Sequence, residues 1–235
     1  MWAVLDPRPM TQDEAKRLAA RAALALLPEA GTIGLGSGST AKLFIDAVGE
    51  LVRSGRRLVG VATSEASRTQ AAALGIPLLS DEGPWDIALS VDGADEVSAA
   101  LDLIKGGGGC HAREKIVNFS SRVNVIIVDD SKLSEQLGEK WPVPVEVLGF
   151  GHGATVRALE RFGRVALRQR EGRAWLTDAG NFIYDVHVGP IADPGELDQR
   201  LRAIAGVVET GLFVGRADRV IVAGERGIRE LVASP

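Results

Sequence analysis

The stretch "TIGLGSGSTAKLFIDAVGELV", Thr32 to Val52, decides the fold. It begins as a short apolar strand, Thr32 to Gly36, turns through small residues, and reads as a helix from Thr40 to Val52. A strand feeding into a helix is the repeating unit of a parallel sheet, because parallel strands need a crossover between them. The alternation extends on both sides. Upstream, Thr11-Gln12-Asp13-Glu14 reads as a capping box that starts a helix; apolar residues follow at Leu18, Ala22, Ala25 and Leu26, and Pro28 stops it. Downstream, Leu58 to Ala62 is a strand and Ser64 to Gly75 a helix closed by glycine. "WDIALSVDGADEV" begins as a strand and breaks at Asp92, and "VNVIIVDDSK" breaks at Asp129.

The pattern changes near "KWPVPVEVLGFG", where Pro142 and Pro144 bracket a short linker or edge strand. Beyond it come a strand (Val145 to Leu148), a helix (Ala154 to Phe162) and two strands (Val165 to Arg170, Asn181 to Val186). A helix (Pro194 to Ile204) and a strand (Val207 to Thr210) complete the set. That β-α-β-β-α-β order is the split arrangement of ferredoxin-like domains. "ADRVIVAGERGIRELV" reads as a last strand and helix returning to the first sheet. The expected division is a parallel-sheet domain over residues 1–141, completed by 212–235, and a smaller α+β domain over 142–211.

The bulk numbers exclude several classes. A chain of 235 residues, 46% hydrophobic and 25% charged, is globular and long enough for two cores. The net charge of -4 gives no electrostatic reason to expect nucleic acid. No apolar run approaches the ~20 residues that span a bilayer, and "MWAVLDPRPMTQDE" lacks the basic-then-apolar order of a secretory signal. The single cysteine, Cys110, cannot form an intrachain disulfide. The expectation is a soluble cytoplasmic protein with neither a nucleic-acid nor a membrane partner.

In an open parallel sheet, ligands bind beyond the carboxyl ends of the strands, so four loops become candidates for one pocket. "GLGSGSTAK", Gly34 to Lys42, offers backbone N–H groups at a helix N-terminus and hydroxyls on Ser37, Ser39 and Thr40; it fits either an anion cradle or an ordinary tight turn. "DGADEV" sets Asp92 and Asp95 around Gly93 and Ala94, suited to sugar hydroxyls, to a metal or to a solvated turn. His111, His152 and His187 are dispersed, which weighs against metal. "LDLIKGGGGCHAREKIV", Leu101 to Val117, places four glycines between Lys105 and a helix carrying Glu114. Such a run is entropically costly. A cradle explains it, with the backbone of the run Gly106 to Gly109 against a ligand and Glu114 as a general base or, alternatively, a complement to the helix dipole. "DDSK" offers Lys132 as a point charge for phosphate. Thr63 and Ser64 follow the second strand as weaker candidates.

Taken together, "GLGSGSTA", "ATSEAS", "VDGADEV", "IKGGGGCHAREKIV", "DDSK", "PVPVEV" and "GVVETGLF" resemble, in order, the motifs of the type A ribose-5-phosphate isomerase family. The resemblance covers the chain from about Thr11 onward. It implies a Rossmann-like domain joined to an α+β domain, a homodimer or homotetramer, no cofactor and no metal. It implies substrate contacts at Ser37 to Thr40, Asp92 to Asp95, Lys105 to Gly108 and Lys132, with Glu114 accepting the proton. The implied reaction interconverts ribose 5-phosphate and ribulose 5-phosphate through an enediolate, within the non-oxidative pentose phosphate pathway. In that chemistry Lys105 stabilises the oxyanion, Asp92 and Asp95 handle hydroxyl protons, and Ser39, Thr40 and Lys132 hold the phosphate. Ser37, Cys110-His111, Ala112 and Asp130 depart from the family pattern, and Asp130 stands close to Lys132. An aminosugar-phosphate deaminase, an acyl-CoA transferase or a silent sugar-phosphate sensor remain as alternative classes for the same fold.

Overall fold

The computed structural model describes residues 10–233; residues 1–9, which include most of the stretch read as lacking a secretory signal, and 234–235 lie outside it. The chain opens with α1 (Gln12–Ala23), started by the expected capping box: the Thr11 side chain accepts from Glu14 N and the Glu14 carboxylate accepts from Thr11 N. Then follow β1 (Ala30–Leu35), α2 (Ser39–Arg53), β2 (Arg57–Ala62), α3 (Glu65–Ala73) and β3 (Ile87–Asp92). Short strands β4 (Glu96–Val97) and β5 (Leu103–Ile104) precede α4 (His111–Phe119) and β6 (Asn124–Asp129). The second unit is β7 (Val143–Val147), α5 (His152–Leu159), β8 (Arg164–Leu167), a small hairpin of β9 (Gln169–Arg170) and β10 (Arg173–Ala174), β11 (Phe182–His187), α6 (Pro194–Arg202) and β12 (Val207–Thr210). The chain then returns through β13 (Leu212–Phe213), β14 (Arg219–Gly224) and β15 (Gly227–Val232).

The main sheet has six strands in the order β15-β14-β6-β3-β1-β2. All neighbours are parallel except β14 and β15. Its strands are short apolar runs because helices cover them. Alanines 15, 19, 20 and 23 let α1 lie close, and Phe44, Ile45 and Val48 of α2 fill the core against Ile33 and Leu35. A fully buried side chain of this size contributes about 1.5–3 kcal/mol.

The second sheet runs β12-β7-β11-β8, antiparallel throughout. The first and third strands of its β-α-β-β-α-β unit are central, as the ferredoxin-like pattern requires. Val143, Val145, Val147, Leu159, Tyr184 and Leu201 form its core. The fold class is the expected one: a parallel α/β sheet with a smaller ferredoxin-like α+β unit.

Two local readings are corrected. Residues 227–232 form a strand, β15, antiparallel to β14, and not a helix. Ile228, Leu231 and Val232 imitate a helical stripe, but Gly227, at φ +81, turns the chain back from Gly224 and the edge of the sheet takes it up. The segment around Pro144 is not a linker or an edge. β7 is interior, paired with both β11 and β12. Pro144 is tolerated because β12 ends at the neighbouring register: Thr210 pairs with Val145, and the Pro144 carbonyl accepts from Gly211 N.

The join between the units is fixed by Glu96. Its carboxylate is fully buried and accepts from Gly138 N (2.9 Å), Lys140 N (3.1 Å) and Trp141 N (3.3 Å). Substituting Glu96→Gln sets an amide donor against one of these donors. The expected cost is about 1–3 kcal/mol of stability, read as a lower urea midpoint at unchanged slope.

Candidate active site

The carboxyl ends of β1 and β3, the segment after β5 and the turn after β6 converge on one open cleft of about 530 Å³. Gly36 ends the first strand where a Cβ would meet Asp92 Oδ1 at 2.2 Å, so only glycine admits the carboxylate there. Gly38 follows at φ +91 and caps α2 without a side chain, leaving the first N–H groups of the helix unblocked by any side-chain cap. Gly38, Ser39 and Thr40 line the cleft. Ser37 turns its hydroxyl to Thr63 (2.7 Å) and Ser64 (2.9 Å), and Ser67 ties the cluster to the Gly36 carbonyl (2.7 Å). Thr63 and Ser64 therefore brace the loop from behind.

Lys105 lies at the floor, 3% exposed. Its Nζ is 3.0 Å from Asp92 Oδ2 and 3.2 Å from Glu114 Oε2, and donates to the Gly93 carbonyl. The two carboxylates are ion-pair partners of the ammonium and the Gly93 carbonyl accepts a hydrogen bond from it. Burial works against the charge, but Asp92 and then Glu114 outweigh it and hold the lysine pKa above its ordinary value. Glu114 projects from the first turn of α4, 5% exposed. Burial first, and the Asp92 carboxylate second, raise its pKa well above the ordinary carboxylate range; Lys105 pulls the other way. Asp92 is fixed by Ser37 N (2.9 Å) and Gly93 N (2.7 Å). It sits under Lys105 in a small buried hollow and does not line the main cleft.

Gly93, Ala94 and Asp95 form one wall, and Gly106, Gly107 and Gly108 the other. The walls are stitched by Gly107 N, which donates to Asp95 Oδ2 at 2.7 Å. A Cβ on Gly107 would stand 2.6 Å from that carboxylate, which explains the glycine. Lys132 reaches the cleft from the turn after β6, its Nζ 5.4 Å from the centre of the Trp141 ring. Asp130 instead lines a different hollow, with Gly224 and Glu225. Among the described residues, no group of three or more His, Cys, Asp or Glu side chains could hold a metal.

The structure adds two residues that sequence reasoning missed. Lys16 of α1 lines the cleft, yet in sequence it is one of several charges on an amphipathic helix. Arg168, from the bend between β8 and β9, donates to the Gly106 and Gly107 carbonyls. Nothing in its local sequence marks it. Of the residues beside the glycine run, Cys110 has its thiol pushed up to about 12, chiefly by burial, and His111 is pushed down to about 3 for the same reason. Neither is an ionised participant at neutral pH.

A buried carboxylate of raised pKa held against a cation, sharing a cleft with a helix N-terminus and two further lysines, suits proton transfer between carbons of an anionic substrate. By fold and site this is an α/β sugar-phosphate isomerase. The profile of the ribose 5-phosphate isomerase A (phosphoriboisomerase A) family matches residues 59–227, and the chain belongs to that family. It is 50% identical to ribose-5-phosphate isomerase A of Gloeobacter violaceus over 96% of this chain and 99% of that protein. The corresponding Rhodopseudomonas palustris protein is 47% identical over 94% and 98%. Among solved structures, the ribose 5-phosphate isomerase A of Methanocaldococcus jannaschii matches with a TM-score of 0.89 at 39% identity, covering 94% of this chain and all of that one (100%). A D-ribose-5-phosphate isomerase in complex with phospho-erythronic acid matches at 0.91 and 37% identity, covering 95% and 100%.

The electrostatics predict the pH profile. A carboxylate acts as a base only when deprotonated, so with Glu114 in that role kcat is expected to rise with pH through its raised pKa. Asp92 is one cause of that rise. Asp92→Asn is therefore expected to move the acid limb of the kcat profile to lower pH while reducing its plateau. An acid limb that stays in place in Asp92→Asn means that another group sets it.

Proposed function

We propose that this cleft interconverts D-ribose 5-phosphate and D-ribulose 5-phosphate with Glu114 as the base. Glu114 takes the C2 proton of the open-chain aldose, leaving an enediolate, and returns it to C1; a hydroxyl proton passes between O2 and O1. The observation that carries this reading is the 3.2 Å contact between Glu114 Oε2 and Lys105 Nζ at the buried floor of the cleft. A substrate oxygen arriving at Lys105 competes with Glu114 for the ammonium. The exchange frees the carboxylate at the moment negative charge develops on the substrate. Asp95, on the cleft wall, handles hydroxyl protons, including those moved in opening the ring. Asp92 acts from beneath by holding Lys105. The N-terminus of α2 with Ser39 and Thr40, together with Lys132 and Lys16, holds the phosphate. Phospho-erythronic acid, the ligand of one solved relative, joins a carboxylate and a phosphate on a short polyol, the two anionic groups these two ends of the cleft suit.

The same reading assigns residues 1–141 and 212–235 to the catalytic domain and 142–211 to the α+β domain, supported by the separate sheets. It takes the enzyme to be cytoplasmic, supported by an unpaired Cys110 and, among the described residues, no helix long and apolar enough to cross a membrane. It takes the assembly to be a homodimer or homotetramer, supported by outward apolar side chains such as Phe119 (71% exposed) and Phe150 (98% exposed). Light scattering on the purified protein tests that assembly.

Glu114→Gln keeps the shape and removes the basicity. It is expected to fold, to bind ribose 5-phosphate and to lose kcat by a factor on the order of 10²–10⁴, with loss of C2-proton exchange into solvent. Wild-type exchange in that variant would move the base elsewhere. Lys132→Ala is expected to raise KM more than it lowers kcat; an unchanged KM removes Lys132 from the phosphate site. Activity is expected to survive exhaustive chelation, because Lys105 supplies the cation.

A further inference from the structure

Arg168 belongs to the α+β unit, yet it grips the backbone of the catalytic glycine run. Its Nη1 donates to the Gly106 carbonyl and, at 3.3 Å, to the Gly107 carbonyl. Its Nε and Nη2 form a two-pronged contact with the Asp185 carboxylate of β11 (Nε at 3.0 Å). Both side chains are mostly buried, 9% and 17% exposed, and the guanidinium lies 5.8 Å from the centre of the Trp175 ring. The planar fork of arginine suits this double task, since one edge binds the carboxylate while the remaining nitrogen points at the loop.

The consequence follows from peptide geometry. In a trans peptide the C=O and the next N–H point in opposite directions. The unit joining Gly106 and Gly107 is held at both ends: its carbonyl by Arg168, its N–H by Asp95. The unit joining Gly107 and Gly108 is held only by its carbonyl, again at Arg168. Its N–H, on Gly108, points away from Arg168, and Gly108 lines the cleft. No described hydrogen bond uses that N–H.

We infer that Arg168, oriented by Asp185, is a positioning residue that aims the Gly108 N–H at the substrate as a second oxyanion donor beside Lys105. Glycines alone cannot hold such an aim, because their backbone is the least restricted of any residue. The α+β unit thus contributes to catalysis through one side chain. This inference rests on the isomerase reading above.

Three variants test it. Arg168→Met combined with Asp185→Asn removes the clamp without leaving a buried charge unpaired. Asp185→Asn alone loosens it, and Arg168→Lys keeps the charge but loses the fork. The double variant is expected to lower kcat about 10- to 100-fold, below the 10²–10³ that loss of a whole oxyanion donor costs, with KM changed less than 3-fold. Arg168→Lys and Asp185→Asn are expected to fall between it and wild type. Tyr184→Phe, in the same strand as Asp185, breaks the contact with His152 of α5 (2.7 Å); it controls for general loosening and should keep wild-type kcat. If the double variant does not fold, the two single variants decide. Unchanged kcat in folded variants, or a loss confined to KM, overturns the clamp. Failure of the wild type itself to isomerise ribose 5-phosphate would instead overturn the isomerase reading.

Discussion

Lys105 is buried with two carboxylates, one cation against two potential anions, and much of the structure serves that arrangement. A desolvated ammonium is unstable without partners, and two carboxylates near one cation cannot both be fully compensated. The surplus falls on Glu114, whose pKa rises mainly through burial and then through Asp92. Asp92 is held in addition by the backbone N–H groups of Ser37 and Gly93. Two chemically similar groups thus sit in different environments: one anchors the lysine, and the other is the one to which the proposed mechanism gives the proton exchange.

Keeping that trio in register requires backbone to pass very close to carboxylates. Gly36 lies against Asp92 and Gly107 against Asp95, each at a distance a Cβ would violate. The close approach costs conformational entropy, and the fold offsets it with contacts from outside the loop. The Gly211 carbonyl accepts from Lys105 N at 2.9 Å, so the segment returning from the second unit pins Lys105 directly. Arg168 pins the glycines from the other side. Glu96 fixes the segment through which the chain leaves for that unit.

Much of this was legible in the sequence because it is local. The capping box at Thr11 to Glu14, the βα turn at Gly36 to Thr40 and the β-α-β-β-α-β order each depend on neighbours in the chain. Ser37 to Thr40, Asp95 and Lys132 meet in one cleft because their loops follow β1, β3 and β6 of the same parallel sheet, and strand ends are visible as breaks in apolar runs; Lys105 to Gly108 arrive from β5 of a separate small sheet and Glu114 from α4. The misread elements were those whose state depends on distant partners. Residues 227–232 carry helical spacing but are claimed by the open edge of β14. Pro144 argues for an edge, yet β7 is flanked on both sides because β12 stops where the missing N–H would be needed.

The sequence by itself determined the sheet, the order of its loops and the residue types at their tips, since these follow from periodicity, turn chemistry and the special backbone of glycine. Only the tertiary structure decided that Asp92 lies under Lys105 and not on the cleft wall, that Lys16 joins Lys132 in the cleft, and that Arg168 reaches the glycine run. Each of these depends on side chains from elements far apart in sequence meeting at hydrogen-bond or pocket distance. That proximity is set by how α1, the main sheet and the α+β unit pack, which no local pattern encodes.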